Sequence, residues 1–253
     1  MKKYSLILIL LFLNHAKAYC PQHVISTFPS SGNKIVQNQI FIFFLTNFPF
    51  IENLSWSEDG SISVEDSKNL QFLFVSKNHT TEAKMLKKVR GDSRHNQFLI
   101  VPKELLQAGE KYHLEIKVYS QKTKRYENFP LNDDYSWIIK EELHQGSSLF
   151  PNLTPKFLAS EYFEFGCGPV SMANFRFSIK GDQIVISELI DPKEGNSKLA
   201  IDVVLKGEIG VGKGMCGGAI EFKRKHGYKI RFKAVNNEGE ESDYGDFIWF
   251  KSP

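Results

Sequence analysis

The sequence predicts an all-β protein built as two antiparallel β-sandwiches in tandem. Three observations carry this. Tyr112, Leu114, Ile116 and Val118 alternate with His113, Glu115, Lys117 and Tyr119, which gives one apolar and one polar face to an extended segment. The pattern returns at Gly227-Tyr228-Lys-Ile-Arg-Phe-Lys-Ala234. No long stretch anywhere carries the helical period of 3.6 residues.

The chain opens with a segment to be set apart. Met1-Lys2-Lys3 is basic, Ser5 to Leu13 is apolar, and Asn14 to Ala18 ends in Ala-x-Ala. Residues 1–18 therefore read as a secretory signal peptide with cleavage before Tyr19. The apolar run is far shorter than the ~20 residues that span a bilayer, and no later stretch is long enough either. Export to the periplasm, the outer surface or the medium is expected, with no transmembrane segment in the mature chain.

Removing the signal removes three of 32 Lys and Arg, so 29 cations face 29 acids. A balanced charge gives no reason to expect nucleic acid as a partner. The remaining length suits two domains, and 21 Phe, 9 Tyr and 3 Trp supply large areas to bury.

The first sandwich is expected over residues 23–141. Pro21 to Gln39 reads as a short strand, a Pro/Ser/Gly turn and a second turn at Gln37-Asn38, and Ile40–Thr46 as a buried central strand. Further strands are predicted at Ser61–Val64, Leu70–Ser76, Glu82–Val89 and Gln97–Val101, with a polar insertion at Lys88–Asn96. Leu105–Gly109 is expected as a short helical turn leading into the alternating strand, and Tyr135–Ile139 closes the region.

Residues 142–156 contain Gly146-Ser-Ser148, Pro151 and Pro155, the composition of a semi-extended linker. The second sandwich is expected over 157–251. Its strands alternate at Ala173–Lys180, Gln183–Ser187, Leu199–Lys206, Cys216–Phe222 and Tyr228–Ala234. Asn236–Ser242 forms a hairpin-type loop and Phe247–Phe250 a last strand.

Two resemblances sharpen this. Phe28-Pro29-Ser-Ser-Gly32 with Val36-Gln-Asn38-Gln-Ile40-Phe-Ile-Phe, then Leu106-Gln-Ala-Gly109-Glu-Lys-Tyr112, then Tyr135-Ser-Trp137, resemble a bacterial Ig-like domain of S-layer-associated and other surface proteins. The spacing Leu-x-x-Gly-x-x-Tyr is similar to a tyrosine corner, where a phenol ties a turn to the sheet. The middle section is longer than in that family, and Leu131-Asn-Asp-Asp134 replaces its usual Gly-Asn. Lys229 to Ser242 resembles the penultimate strand and final turn of a fibronectin III domain. The resemblance implies Ig-like and fibronectin III-like sandwiches used as spacers or binding modules.

Export favours disulfides, and Cys167 and Cys216 fall in the same half. Their pairing would stabilise by roughly 3–4 kcal/mol, and it departs from the fibronectin III pattern. Cys20 is then left as a free or intermolecular thiol, or as a lipid anchor. Tyr19 argues against the anchor, since a lipobox has a small residue before its cysteine.

No catalytic constellation is legible, no cofactor is expected, and the chain reads as non-enzymatic. Gly207-Glu-Ile-Gly-Val-Gly212-Lys213-Gly214 nearly matches a phosphate loop, but Gly214 stands where a hydroxyl must hold magnesium. It reads instead as a flexible glycine loop. No His or Cys pair has metal-ligand spacing, which leaves zinc unsupported. Asp133-Asp134 and Glu141-Glu142 are the oxygen ligands that calcium between domains would use. Asn53, Asn78 and Asn152 begin glycosylation sequons that matter only in a eukaryotic pathway. Lys87, Lys88, Arg90 and Arg94, Lys213, and Lys223, Arg224 and Lys225 are the candidate cationic contact loops, against the alternative of plain solvated loops that the balanced charge favours. The expected function is adhesion or binding to an envelope protein or glycan. The alternatives are an accessory module of an envelope enzyme or secretion system, and a hydrolase with an unrecognised site.

Overall fold

The computed structural model describes residues 24–46, 69–92, 95–120, 122–129, 131, 134–142, 153, 155–165, 168–179, 182–214 and 218–253. Among them the chain is all-β, with no α-helix. The signal-like residues 1–18, the expected strand Ser61–Val64, and Cys20, Arg94, Asp133, Cys167 and Cys216 lie outside the described residues.

The first half contains β1 (Val24–Phe28), β2 (Lys34–Ile35), β3 (Phe41–Thr46), β4 (Leu70–Val75), β5 (Thr80–Arg90), β6 (His95–Pro102), β7 (Lys111–Ser120), β8 (Arg125–Asn128) and β9 (Ser136–Ile139). They form one curled sheet in the order β1-β3-β6-β5-β4-β7-β9-β2, with β8 on β7. The bend falls at β5, the longest of these strands, which pairs with β6 on one side and β4 on the other. A register shift between Met85 and Lys87 lets it turn, since a bulge bends and twists its strand. The curl wraps an aromatic core. Phe41 meets Phe74 at 4.6 Å and Trp137 at 4.9 Å between ring centroids, while Phe43 lies 5.6 Å from Phe72. Edge and offset contacts of this kind add to the apolar area each ring removes from water.

The second half contains β10 (Lys156–Phe165), β11 (Gly168–Arg176), β12 (Gln183–Ile190), β13 (Ser197–Val204), β14 (Glu208–Lys213), β15 (Gly227–Val235) and β16 (Ile248–Lys251). Two sheets result, β10-β11-β14 and β13-β12-β15-β16. Phe175, Phe177, Val185, Tyr228, Phe232 and Phe250 are buried in one core cluster.

Both predicted tyrosines dock alike. The Tyr112 phenol accepts the Gln107 N–H at 3.1 Å, and the Tyr228 phenol accepts the Lys223 N–H at 3.0 Å. Each tyrosine sits opposite an aromatic of the terminal strand, Tyr112 across from Trp137 and Tyr228 across from Phe250. The phenol thus satisfies a backbone donor that the entering turn leaves over. The residues before Tyr112 form bends and a turn at Gly109 (φ 81°), correcting the expected helical turn at Leu105–Gly109. A single helical turn gains one hydrogen bond for several fixed dihedrals; here the phenol and the Ile139 carbonyl, which accepts the Gly109 N–H at 2.8 Å, take those donors instead.

Two further expectations change. The glycine-rich segment 207–214 is mostly strand β14, not a flexible loop. A Cβ on Gly212 would lie 2.1 Å from the Ser171 carbonyl oxygen, and one on Gly210 2.7 Å from a Met172 methyl. The glycines therefore let β14 close onto β11. Residues 218–223 are not a strand, although Ile220 and Phe222 are buried as the alternation suggests.

The two halves are packed on each other; of the expected semi-extended linker at 142–156, residues 142, 153, 155 and 156 are described. Ile40, Ile42, Val89 and Leu99 of the first half form one buried cluster with Ile184, Ile186, Ile201 and Val235 of the second. Leu153, inside the expected linker, is buried in the second core. Strands β3, β6 and β12 therefore read as continuous apolar runs: one face fills a core and the other fills the joint.

Candidate binding face

The joint accounts for the polar insertion between β5 and β6. Gly91 meets Ala219 so closely that a Cβ would lie 2.5 Å from its Cα. The Asp92 N–H donates to the Ala219 carbonyl at 2.7 Å, and its carboxylate accepts from Lys198 Nζ and the Glu221 N–H, each at 2.7 Å. These bonds use backbone groups that a strand at 218–222 would need, so that segment stays irregular. Buried Gln97 completes the joint, donating to the Ile201 carbonyl (2.6 Å) and accepting the Ile201 N–H (2.7 Å).

The predicted cationic contact residues are mostly engaged. Lys87 and Lys88 lie on β5 and not in a loop. Lys87 crosses the joint to Glu241 at 2.6 Å. Lys88 is 4 % exposed, with its ammonium 5.0 Å from the Phe98 ring centroid. Arg90 is exposed at the end of β5. Lys213 pairs with Glu221 at 3.1 Å, Lys223 pairs with Glu194 and Asp191, and the Arg224 guanidinium lies 4.2 Å from the Tyr162 ring centroid. Lys225 is exposed in a turn with φ 53°, its N–H bonded to the Pro253 carbonyl.

Beside the joint lies a small polar recess lined by Asp191, Glu194, Lys198, Glu221, Lys223 and Tyr228, with a cavity of ≈ 30 Å³. That volume suits a water or two and is far below a ligand pocket. Asp191 is nearly covered and sits 2.9 Å from His226 Nε2. The hydrogen bond from His226, with backbone N–H groups of Lys193 and Glu194, holds its carboxyl down at about 2 against the opposing effect of burial. Lys223 lowers Glu194 through their hydrogen bond, and Glu194 raises Lys223 in return. The recess is a network that ties the β12–β13 turn to the second tyrosine corner. Among the described residues no group of three or more His, Cys, Asp or Glu could hold a metal ion. Of the acids proposed for calcium, Asp134 lies 3.6 Å from Lys111, an exposed pair.

The exposed chemistry lies on the outer face of β12, β15 and β16. On β15, Tyr228, Ile230, Phe232 and Ala234 point to the core, so Lys229, Arg231 and Lys233 point out. On β16, Phe250 is buried and Trp249 is 60 % exposed. Lys229 and Trp249 are directly paired across the strands, with the ammonium 4.4 Å from the indole centroid. Arg231 lies 4.3 Å from the Tyr244 ring and 4.6 Å from Phe247, and Lys233 lies 4.6 Å from Tyr244. Cations over ring faces attract the ring quadrupole and hold the aromatic rims in place. Arg231 also pairs with Glu188, and Lys233 with Glu241. Burial works to lower Lys233, but Glu241 and Tyr244 outweigh it and its pKa rises. Burial likewise opposes the ionised form of Glu241, yet Lys233 and Lys87 together bring its pKa down.

None of the residues on this face was among the predicted contacts. The signal was nevertheless legible: the alternation that buries Tyr228, Ile230 and Phe232 necessarily gathers Lys229, Arg231 and Lys233 on the other side. Its aromatic partners follow from the same alternation at Phe247 and Trp249. What hid it was the cross-strand register, which no local pattern states. Among the described residues, no helix is long and apolar enough to cross a membrane. No family model matches the sequence, and no curated protein is significantly similar to it.

Proposed function

We propose that this chain is an exported, non-catalytic bacterial envelope or surface protein that binds its target through tandem Ig-like and fibronectin III-like sandwiches. The observation that carries the reading is Trp249, 60 % exposed on an outer sheet face with the Lys229 ammonium over its ring. A large ring held open in this way by its own neighbours is the kind of anchor that dominates binding surfaces. Strand order supports the architecture. In the second half β10-β11-β14 faces β13-β12-β15-β16, and the first half has a corresponding strand order, β1-β3-β6-β5-β4-β7-β9, in one continuous sheet curled at β5. The two tyrosine corners support it further. The basic, apolar, Ala-x-Ala start supports export. The test has two parts. The full chain with a C-terminal tag should appear in the envelope or medium with residues 1–18 removed. The purified mature chain should adhere to envelopes, and Trp249→Ala should lose that adhesion while keeping its thermal midpoint. Retention in the cytoplasm, or adhesion indifferent to Trp249, would contradict the proposal.

A further inference from the structure

We infer that the exposed half of the outer β12–β15–β16 face binds an acidic polysaccharide, a sugar chain bearing carboxylates. The inference rests on the binding reading above and names its ligand class.

The outer face of this sheet has two parts. Ile184, Ile186, Ile201 and Val235 are covered by the first half of the protein. The rest, toward β16, stays open with Trp249 at 60 % and Phe247 at 39 % exposure. The open part is continuous with a joint that is already used for packing. Among the described residues, the small recess near Asp191 lies apart from it. An exposed sheet strip suits an extended chain better than a small metabolite, which needs a concave site.

Its chemistry then selects the chain. The faces of sugar rings present C–H groups that pack on indole and phenyl rings, so Trp249 and Phe247 offer two stacking positions. Lys229, Arg231 and Lys233 follow at two-residue intervals along β15, roughly 7 Å apart. Lys251 is exposed beyond Trp249 on β16. Arg231 and Lys233 are already paired with Glu188 and Glu241, and the Lys233 side chain is only 15 % exposed, so Lys229 and Lys251 are the cations this strip offers a ligand. Among the described residues Lys229 makes no ion pair, and its ammonium is available above the Trp249 ring. Two cations set beside two exposed rings are complementary to sugars that carry negative charge at intervals. A peptide adding as a strand to the β16 edge is disfavoured, because Ser160 on β10 already donates to the Lys251 carbonyl at 2.7 Å.

The test titrates the mature chain with an oligomer of galacturonic acid, with neutral dextran, and with vesicles of anionic phosphatidylglycerol. The oligouronate should bind, and added salt should weaken it. Trp249→Ala should cost about tenfold in affinity, the size expected for one stacking position. Lys229→Gln should weaken binding and flatten its salt dependence. Both side chains lie outside the cores, so both variants should keep the wild-type thermal midpoint. Equal affinity for neutral dextran, affinity for oligouronate unchanged in both variants, or binding to vesicles without binding to oligouronate would each overturn the inference. If envelopes are still bound through Trp249 while oligouronate is not, the ligand class is wrong and the binding face stands. If neither is bound, both fail.

Discussion

Two kinds of residue carry testable consequences on their own. The first is the corner tyrosine. Tyr112 stands between two partners: its phenol accepts the Gln107 N–H and lies 2.7 Å from His79 Nδ1, and the other His79 nitrogen is 3.2 Å from Glu104. Tyr228 has the equivalent bond to the Lys223 N–H. Removing either hydroxyl leaves a half-covered backbone donor without its acceptor. Tyr112→Phe and Tyr228→Phe should each lower unfolding free energy by about 1–3 kcal/mol in urea titrations. The second is Asp202, which donates nothing and accepts from the buried Ser187 hydroxyl at 2.8 Å. Burial raises its carboxyl from 3.8 to about 6, and the Ser187 bond only partly offsets this. An acid raised in the folded state binds its proton more tightly there than in the unfolded chain. Its contribution is therefore most favourable below about 3.8 and is lost as pH rises to about 6. Asp202→Asn should raise the thermal midpoint at pH 7.5 and leave it unchanged near pH 4. Asp191 has the opposite sign: held down at about 2, it stabilises above 3.8, so Asp191→Asn should destabilise at pH 7.5.

At the scale of elements, alternation made the central strands readable and register made the rest unreadable. Phe41 and Phe43 against Ile40 and Ile42, or Tyr228 and Ile230 against Lys229 and Arg231, assign faces from period two alone. The expected β3, β4, β6 and β7 accordingly match within a residue or two. The pattern fails where tertiary contacts take over the backbone. Residues 218–222 have a strand-like alternation, but Asp92 and the close approach of Gly91 claim their hydrogen bonds. The glycines of 207–214 look like a loop until β11 is laid against them. Lys87 and Lys88 look like surface charge until the bulged β5 turns one across the joint and the other inward. Gln97 is the sharpest such case, a polar residue in an apolar run. It is there because both ends of its amide bond the Ile201 backbone. Gln97→Ala should cost about 1–3 kcal/mol, since it strands a buried N–H and C=O of Ile201. Hydrogen exchange should locate the loss at β13.

At the scale of the molecule, the apolar joint decides how the protein behaves. Eight aliphatic side chains buried between halves resemble a core more than a transient contact between domains. The chain should therefore unfold in one thermal transition, and Ile201→Asp should split that transition in two by placing a charge in the cluster. Two separate transitions in the unaltered chain would show that the joint does not couple the halves. The joint also leaves one half of the β12–β15–β16 face covered and the other half, the one proposed to bind, exposed. The most direct measurement is the adhesion of the mature chain to envelopes, compared between wild type and Trp249→Ala at equal thermal stability. The account predicts that the substitution removes most of the bound protein. Equal adhesion by both would contradict it.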